Sequence, residues 1–265
     1  MNIVETDHLT RLFGATIAVD ALTMSVSAGE VFGLLGPNGA GKSTVIKMLT
    51  TLLTPTSGRA LVGGFDVVRQ AGQVRRMIGY VPQLLSADGT LTGIENLNVF
   101  ASLYDIPRSE RRARVSGALE FMGLSEAADK LVRNYSGGMV RRLEIAQAML
   151  HRPALLFLDE PTLGLDPLAR EAVWDHIQEL RAEYGTTIVV TTHYMDEADS
   201  LCDRVAIMHR GRVAALGSPE ELKASIGGPD KTLEEVFIHY AGDQLESGGD
   251  YHDVWQTRRA AGGPG

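Results

Sequence analysis

A chain of 265 residues can bury a core of its own without staples, and its single cysteine, Cys202, excludes an internal disulfide. The net charge of -8 argues against nucleic acid as a partner, because binders of that class carry a basic face. No apolar run approaches the roughly 18 residues that a bilayer span needs, and no secretory leader pattern opens the chain, so a reducing, cytoplasmic setting is expected.

Residues 1 to 30 hold short alternating stretches, Thr16 to Val19 and Leu22 to Val26, broken at Gly14 and at Ala28-Gly29, a pattern of antiparallel strands and turns. Phe13 lies just before one of those turns, where an aromatic ordinarily plugs a strand end. Val31 to Leu35 reads as a buried strand. It runs into Gly36-Pro37-Asn38-Gly39-Ala40-Gly41-Lys42-Ser43, which fits the phosphate-binding pattern G-x-x-x-x-G-K-[ST].

A polyphosphate is a dense anion, so its site needs converging donors, one cation and little bulk. Gly36, Gly39 and Gly41 let the backbone approach the oxygens, and Lys42 supplies the charge for the β and γ phosphates. From Lys42 to Leu53 the apolar residues Val45, Met48, Leu49 and Leu52 share one helical face, so a helix N-terminus adds its free N–H groups to the same anion. Ser43 at its start is placed to hold Mg²⁺ through its hydroxyl.

Between Leu53 and Gly79 the glycines and Pro55 predict hairpin and loop, interrupted by Arg59 to Val62. Ile78 to Val81 then predicts a strand that delivers Gln83, with Pro82 stopping the ladder. From Thr92 to about Arg133 the apolar spacing turns helical and Gly123 serves as a C-cap, which reads as an inserted helical lobe. The arginines 108, 111, 112 and 114 read as its wet face or as a docking patch. Ser136-Gly137-Gly138 opens a further helix, with Ser136 as its cap and two glycines leaving the backbone N–H groups bare, a second anion site.

Leu155 to Leu158 is continuously apolar and ends in Asp159-Glu160, as expected of a central parallel strand whose C-terminal edge faces ligand. Alternation along a strand predicts that the two carboxylates point apart, one toward Mg²⁺ and the other toward the attacking water. A turn-rich stretch from Pro161 to Pro167 holds Asp166, and a helix from Ala169 to Glu183 follows. Thr187 to Thr192 is the next core strand and ends at His193, on the same sheet edge. A short helix around Glu197 to Leu201, a hairpin turning at Arg210-Gly211, and a capped helix from Thr232 through Tyr240 complete the pattern. Residues 241–265 read as a disordered tail.

The order of these signals, Phe13, the phosphate loop, Gln83, Ser136-Gly137-Gly138, Asp159-Glu160, Asp166 and His193, resembles the ATP-binding subunit of ABC transporters over about residues 3–240. Tyr135 to Met139 followed by Arg141 and Arg142, with Leu233 to Phe237 near the end, resembles its drug-export branch, typified by daunorubicin-resistance ATP-binding proteins. The resemblance implies an α/β fold: a phosphate-loop NTPase core with a mixed or parallel sheet, an N-terminal antiparallel β subdomain, and the helical lobe over about 92–135. It implies ATP and Mg²⁺ as cofactors, with Phe13 stacking on adenine, residues Gly36 to Thr44 on the phosphates, and Ser43, Gln83 and Asp159 around the metal.

On the same resemblance Glu160 orients or deprotonates the water, His193 meets the γ-phosphate, and Asp166 lies in a loop linking two sites. Ser136, Gly137 and Gly138 act on ATP held by a second copy, and Gln83 with the helical lobe receives a separate transmembrane permease at the cytoplasmic face of the membrane. Four positions depart from the commonest pattern: Met139, Tyr135, Leu163 and Phe13. Of these, Leu163 lies beside Asp166 and touches the coupling of the two sites. One phosphate loop and one Ser-Gly-Gly start per chain also suit a head-to-tail dimer sandwiching two ATP molecules. The expected function is ATP hydrolysis that powers export of a drug or other hydrophobic compound. The alternatives are an ABC-type ATPase acting on soluble partners and a nucleotide sensor without turnover.

Overall fold

The computed structural model describes residues 1–242. Strands β1 (Asn2–Phe13) and β2 (Thr16–Ser27) pair antiparallel through a turn at Gly14, and the two short stretches of the sequence, Thr16 to Val19 and Leu22 to Val26, are parts of the one long strand β2. With β4 (Ser57–Val62) and β5 (Phe65–Asp66) they form a four-stranded antiparallel sheet in the order β2-β1-β4-β5.

The second sheet has six strands. Its members are β3 (Val31–Leu35), β6 (Ile78–Val81), β7 (Leu155–Asp159), β8 (Thr187–Thr192), β9 (Arg204–His209) and β10 (Arg212–Gly217), ordered β10-β9-β3-β8-β7-β6. All neighbours pair parallel except β9 and β10, which form the hairpin expected at Arg210-Gly211. Because β3, β6, β7 and β8 run the same way, the residues that follow each of them emerge at one edge. That places the phosphate loop, Gln83, Glu160 and His193 together, as open parallel sheets do at their carboxyl ends.

Alternation along the central strands divides the core in two. Leu156 and Leu158 of β7 join Val31 and Leu35 of β3 under the helices α3 (Gly93–Leu103), α5 (Gly137–Met149) and α6 (Pro167–Tyr184). Leu155 and Phe157 join Phe32 and Leu34 beneath the antiparallel sheet and α1 (Lys42–Leu49). Phe157 has no exposed surface. Phe157→Ala should therefore lower unfolding stability by about 3–5 kcal/mol, read as a reduced urea midpoint with an unchanged slope.

Several sequence expectations change. Helix α1 stops at Leu49 rather than Leu53, because the Thr50 hydroxyl donates to the Ile46 carbonyl at 2.8 Å and Thr51 takes a left-handed φ of 65°. Leu52 consequently leaves the apolar face and is 62% exposed. Helix α2 (Ala71–Met77) occupies part of the predicted loop. Only Val74 within it is buried, so it has no stripe to read. In the lobe, α4 (Arg108–Phe121) follows α3, and Gly123 ends it with φ 61°. Its arginines do not form one patch: Arg111 donates to Ile106 O and Ser102 Oγ, and Arg114 donates to Leu150 O and pairs with Glu110.

Helix α6 begins at Pro167, with Asp166 as its cap accepting from Ala169 N at 3.0 Å. After α7 (Met195–Leu201) comes α8 (Pro219–Ser225), absent from the sequence reading although Ser218 and Glu221 form a capping box ahead of it. Helix α9 (Leu233–Gly242) extends past Tyr240, and Ala241 is fully buried, so the tail does not begin at 241. The remainder of that expectation, residues 243–265, lies outside the described residues.

Candidate nucleotide site

The two ends of the loop, Gly36 and Gly41, are wedged against neighbouring backbones, while Gly39 between them faces open space. At Gly36, φ is 149° and a Cβ would sit 2.3 Å from Met208 O; at Gly41, φ is 104° and a Cβ would sit 2.5 Å from Ala18 O. No other residue fits either position, so the glycines of the motif are demanded by packing as well as by the anion. The following helix offers a first turn of N–H groups with no intrahelical acceptor.

Lys42 is buried, and its Nζ donates to Gly36 O at 2.7 Å and Pro37 O at 3.2 Å while lying 3.4 Å from Glu160 Oε1. Burial pulls its pKa below the ordinary value of 10.5, and the Glu160 and Asp159 carboxylates oppose that shift. Ser43 Oγ donates to Asp159 Oδ1 at 2.9 Å, and Thr191 Oγ1 donates to the same oxygen at 2.6 Å.

Glu160 is 5% exposed and leaves the strand with a left-handed φ of 49°, tied by its N–H to Thr191 O and Thr191 Oγ1. The prediction that the two carboxylates point apart fails for this reason, since strand alternation ends at Asp159. Both converge on the Lys42-Ser43 pair instead. Gln83 Nε2 donates to Glu160 Oε2 at 3.4 Å, and His193 Nδ1 lies 3.3 Å from that oxygen. Lys42, Ser43, Gln83, Asp159, Glu160 and His193 thus form one cluster.

Three expected groups stand outside it. Phe13 is 49% exposed at the end of β1, with the Arg11 guanidinium 4.7 Å from its ring. Ser136 caps α5 by accepting from Met139 N at 3.3 Å, and Gly138 packs so tightly that a Cβ would meet Ala169 Cβ at 2.9 Å. Among the described residues no hydrogen bond or ion pair joins Phe13, Ser136, Gly137, Gly138 or Asp166 to the cluster.

A supporting pair escaped the sequence reading. Arg141 donates to Pro82 O at 2.7 Å and Gln83 O at 2.9 Å, and pairs with Glu144 at 2.9 Å in a buried setting. Glu144 in turn accepts from the backbone N–H groups of Ser86 and Ala87. The pair fixes the loop that carries Gln83. Opposite charges three apart on a helix otherwise rich in apolar residues were the available signal.

The family model described as "ABC transporter" matches residues 19–163. The chain belongs to the ABC transporter family. It is 49% identical over 244 residues to the daunorubicin/doxorubicin resistance ATP-binding protein DrrA of Streptomyces peucetius, a match covering 92% of this chain and 73% of that protein. Its fold is similar to a solved ATP-binding subunit of an ABC transporter, with a TM-score of 0.80, 30% identity, and coverage of 90% of this chain and 99% of that one. It is also similar to CbiO1 of Clostridium perfringens, described as part of the ABC transporter complex CbiONQ, with a TM-score of 0.77, 32% identity, and coverage of 85% and 92%.

The resemblance drawn from motif order is therefore correct, and so is the fold class. This ABC subunit binds and hydrolyses ATP. No helix among the described residues is long and apolar enough to cross a membrane.

Proposed function

We propose that this ABC subunit powers export of a drug, antibiotic or other hydrophobic compound through a separate membrane-spanning permease, to which it docks at the cytoplasmic face. Two copies work together, each completing the other's nucleotide site. The single observation that carries the reading is the convergence of Lys42, Gln83, Glu160 and His193 at the phosphate loop, while Ser136 caps its own helix and shares no hydrogen bond with that cluster among the described residues. The daunorubicin/doxorubicin resistance named for its relative, and the complex named for CbiO1, support the substrate class and the membrane partner.

In this reading residues Gly36 to Thr44 bind the β and γ phosphates by backbone N–H groups and Lys42 Nζ, while Phe13 stacks on adenine. Ser43 Oγ, the Gln83 amide oxygen and the Asp159 carboxylate are hard oxygen donors that suit Mg²⁺. When bound there, Mg²⁺ supplies charge neutralisation for the phosphate oxygens. Glu160 accepts a proton from the attacking water or orients it, and His193 donates to the γ-phosphate. Ser136, Gly137 and Gly138 meet the γ-phosphate of the partner copy's ATP, which makes the dimer ATP-dependent. Asp166, at the start of α6, carries the contact between the two sites.

Expression with a polytopic membrane partner from the same locus, followed by transport in inverted vesicles, tests the proposal. ATP-dependent uptake of an anthracycline, lost in a variant unable to hydrolyse ATP, is the expected result. Isolation with soluble partners only, or ATPase activity that no membrane protein alters, overturns it in favour of a non-transport ATPase.

A further inference from the structure

Beside the cluster lies a third carboxylate that no motif includes. Glu197, in the first turn of α7, is 5% exposed. Its two oxygens accept from Thr162 Oγ1 at 3.0 and 3.1 Å, and Oε2 also accepts from Thr192 Oγ1 at 3.3 Å. Thr162 follows Glu160 by two positions, and Thr192 immediately precedes His193. Both threonines are buried.

The Thr192 hydroxyl does more than donate. It accepts the Tyr194 N–H at 3.0 Å, closing the turn in which His193 sits. Tyr194 then lies tilted against the His193 ring, 4.2 Å between centroids, and its other surroundings include the Arg170 guanidinium, 4.2 Å from the Tyr194 centroid. Arg170 Nε returns to Glu197 Oε1 at 3.3 Å, a charge contact rather than an aligned hydrogen bond. One buried anion therefore holds the turn after β7, the turn after β8 and the first helical turns of α6.

From this geometry we infer that Glu197 is a positioning residue for ATP hydrolysis: it sets the relative placement of Glu160 and His193 by fixing Thr162 and Thr192. The inference rests on the reading of Glu160 and His193 as the reacting pair. The physical basis is that buried hydroxyls with a single strong acceptor have few alternative orientations, and a low local dielectric strengthens those bonds. Hydrolysis is more sensitive to sub-ångström displacement of such a pair than nucleotide binding is, because the phosphate loop is built from β3 and α1.

The test uses the 265-residue chain with its ATPase followed by phosphate release. Glu197→Ala, and separately the isosteric pair Thr162→Val with Thr192→Val, should lower kcat on the order of tenfold to a hundredfold. KM and equilibrium ATP affinity should stay within about twofold, since the binding loop is untouched. In the cycle with His193→Ala, Glu197→Ala should slow hydrolysis by a smaller factor on the His193→Ala background than on the wild type. The long-range ¹H–¹⁵N spectrum of the imidazoles, in which His193 is identified by its loss in His193→Ala, should show that ring shifted in Glu197→Ala while His239 is unmoved.

If Glu197→Ala does not fold, the threonine pair, which preserves volume, carries the same comparison. Wild-type kcat in the variants, or an undiminished factor on the His193→Ala background, or an unshifted His193 ring, overturns the assignment. Wild-type turnover by Glu160→Gln and His193→Ala would instead overturn the site reading beneath it. Slow Glu160→Gln with fast Glu197→Ala overturns only the positioning role.

Discussion

Glu160→Gln should bind ATP about as well as the wild type, hydrolyse it at least roughly a hundredfold more slowly, and accumulate as an ATP-bound dimer. Glutamine keeps the length of the side chain and one acceptor for Gln83, so the pocket around Lys42, Gln83 and His193 holds its shape. It removes the only carboxylate, among the described residues, within reach of all three of those side chains. Proton acceptance from water is lost while the phosphate loop, which lies on β3 and α1, is unaltered. Single-turnover phosphate release gives the rate, and size-exclusion chromatography with ATP gives the dimer. Wild-type turnover would remove Glu160 from its proposed role. Slow turnover without any dimer would remove the two-copy arrangement.

The second large effect is expected at Lys42. Lys42→Ala deletes the cation placed for the β and γ phosphates and should weaken ATP binding by about 3 kcal/mol, roughly two decades in Kd. Isothermal titration measures it directly, and unchanged affinity would refute the loop assignment. The same variant should alter the alkaline limb of the stability curve. Burial holds the Lys42 pKa below 10.5 in the folded chain, so the unfolded chain binds that proton more tightly. Stability contributed through this group therefore rises with pH across the window between the depressed value and 10.5. Lys42→Ala lacks that contribution, and urea unfolding of both proteins from neutral pH to pH 10.5 should show the shallower slope in the variant.

How much of this was legible beforehand can be judged residue by residue. The strand Val31–Leu35, the loop after it and the apolar run before Asp159 declare themselves within a few neighbouring positions, because glycine spacing, strand hydropathy and caps are local properties. Helix α1 was overextended because Leu52 continues the apolar spacing, while the event that ends the helix, the Thr50 hydroxyl turning back to Ile46, competes locally without altering that spacing. Helix α2 leaves no periodic signal because it buries only one side chain, whereas α8 is announced locally by the capping box of Ser218 and Glu221. Arg141, Glu144 and Glu197 lay on helices whose charged residues pass for wet faces; their burial depends on which loops are laid over them.

Residue order by itself determined the phosphate loop, the strands that end at the site, the family, and which side chains are candidates for the chemistry, since each rests on a short pattern of residue types. Tertiary structure alone decided that Asp159 and Glu160 converge rather than diverge, that Ser136 shares no hydrogen bond with the cluster among the described residues, and that Glu197 ties Thr162 to Thr192. The contacts of Ser43 with Asp159 and of Thr162 with Glu197 join residues 116 and 35 positions apart, and they follow from strand order and backbone turns such as the left-handed step at Glu160, which residue identity does not encode one position at a time.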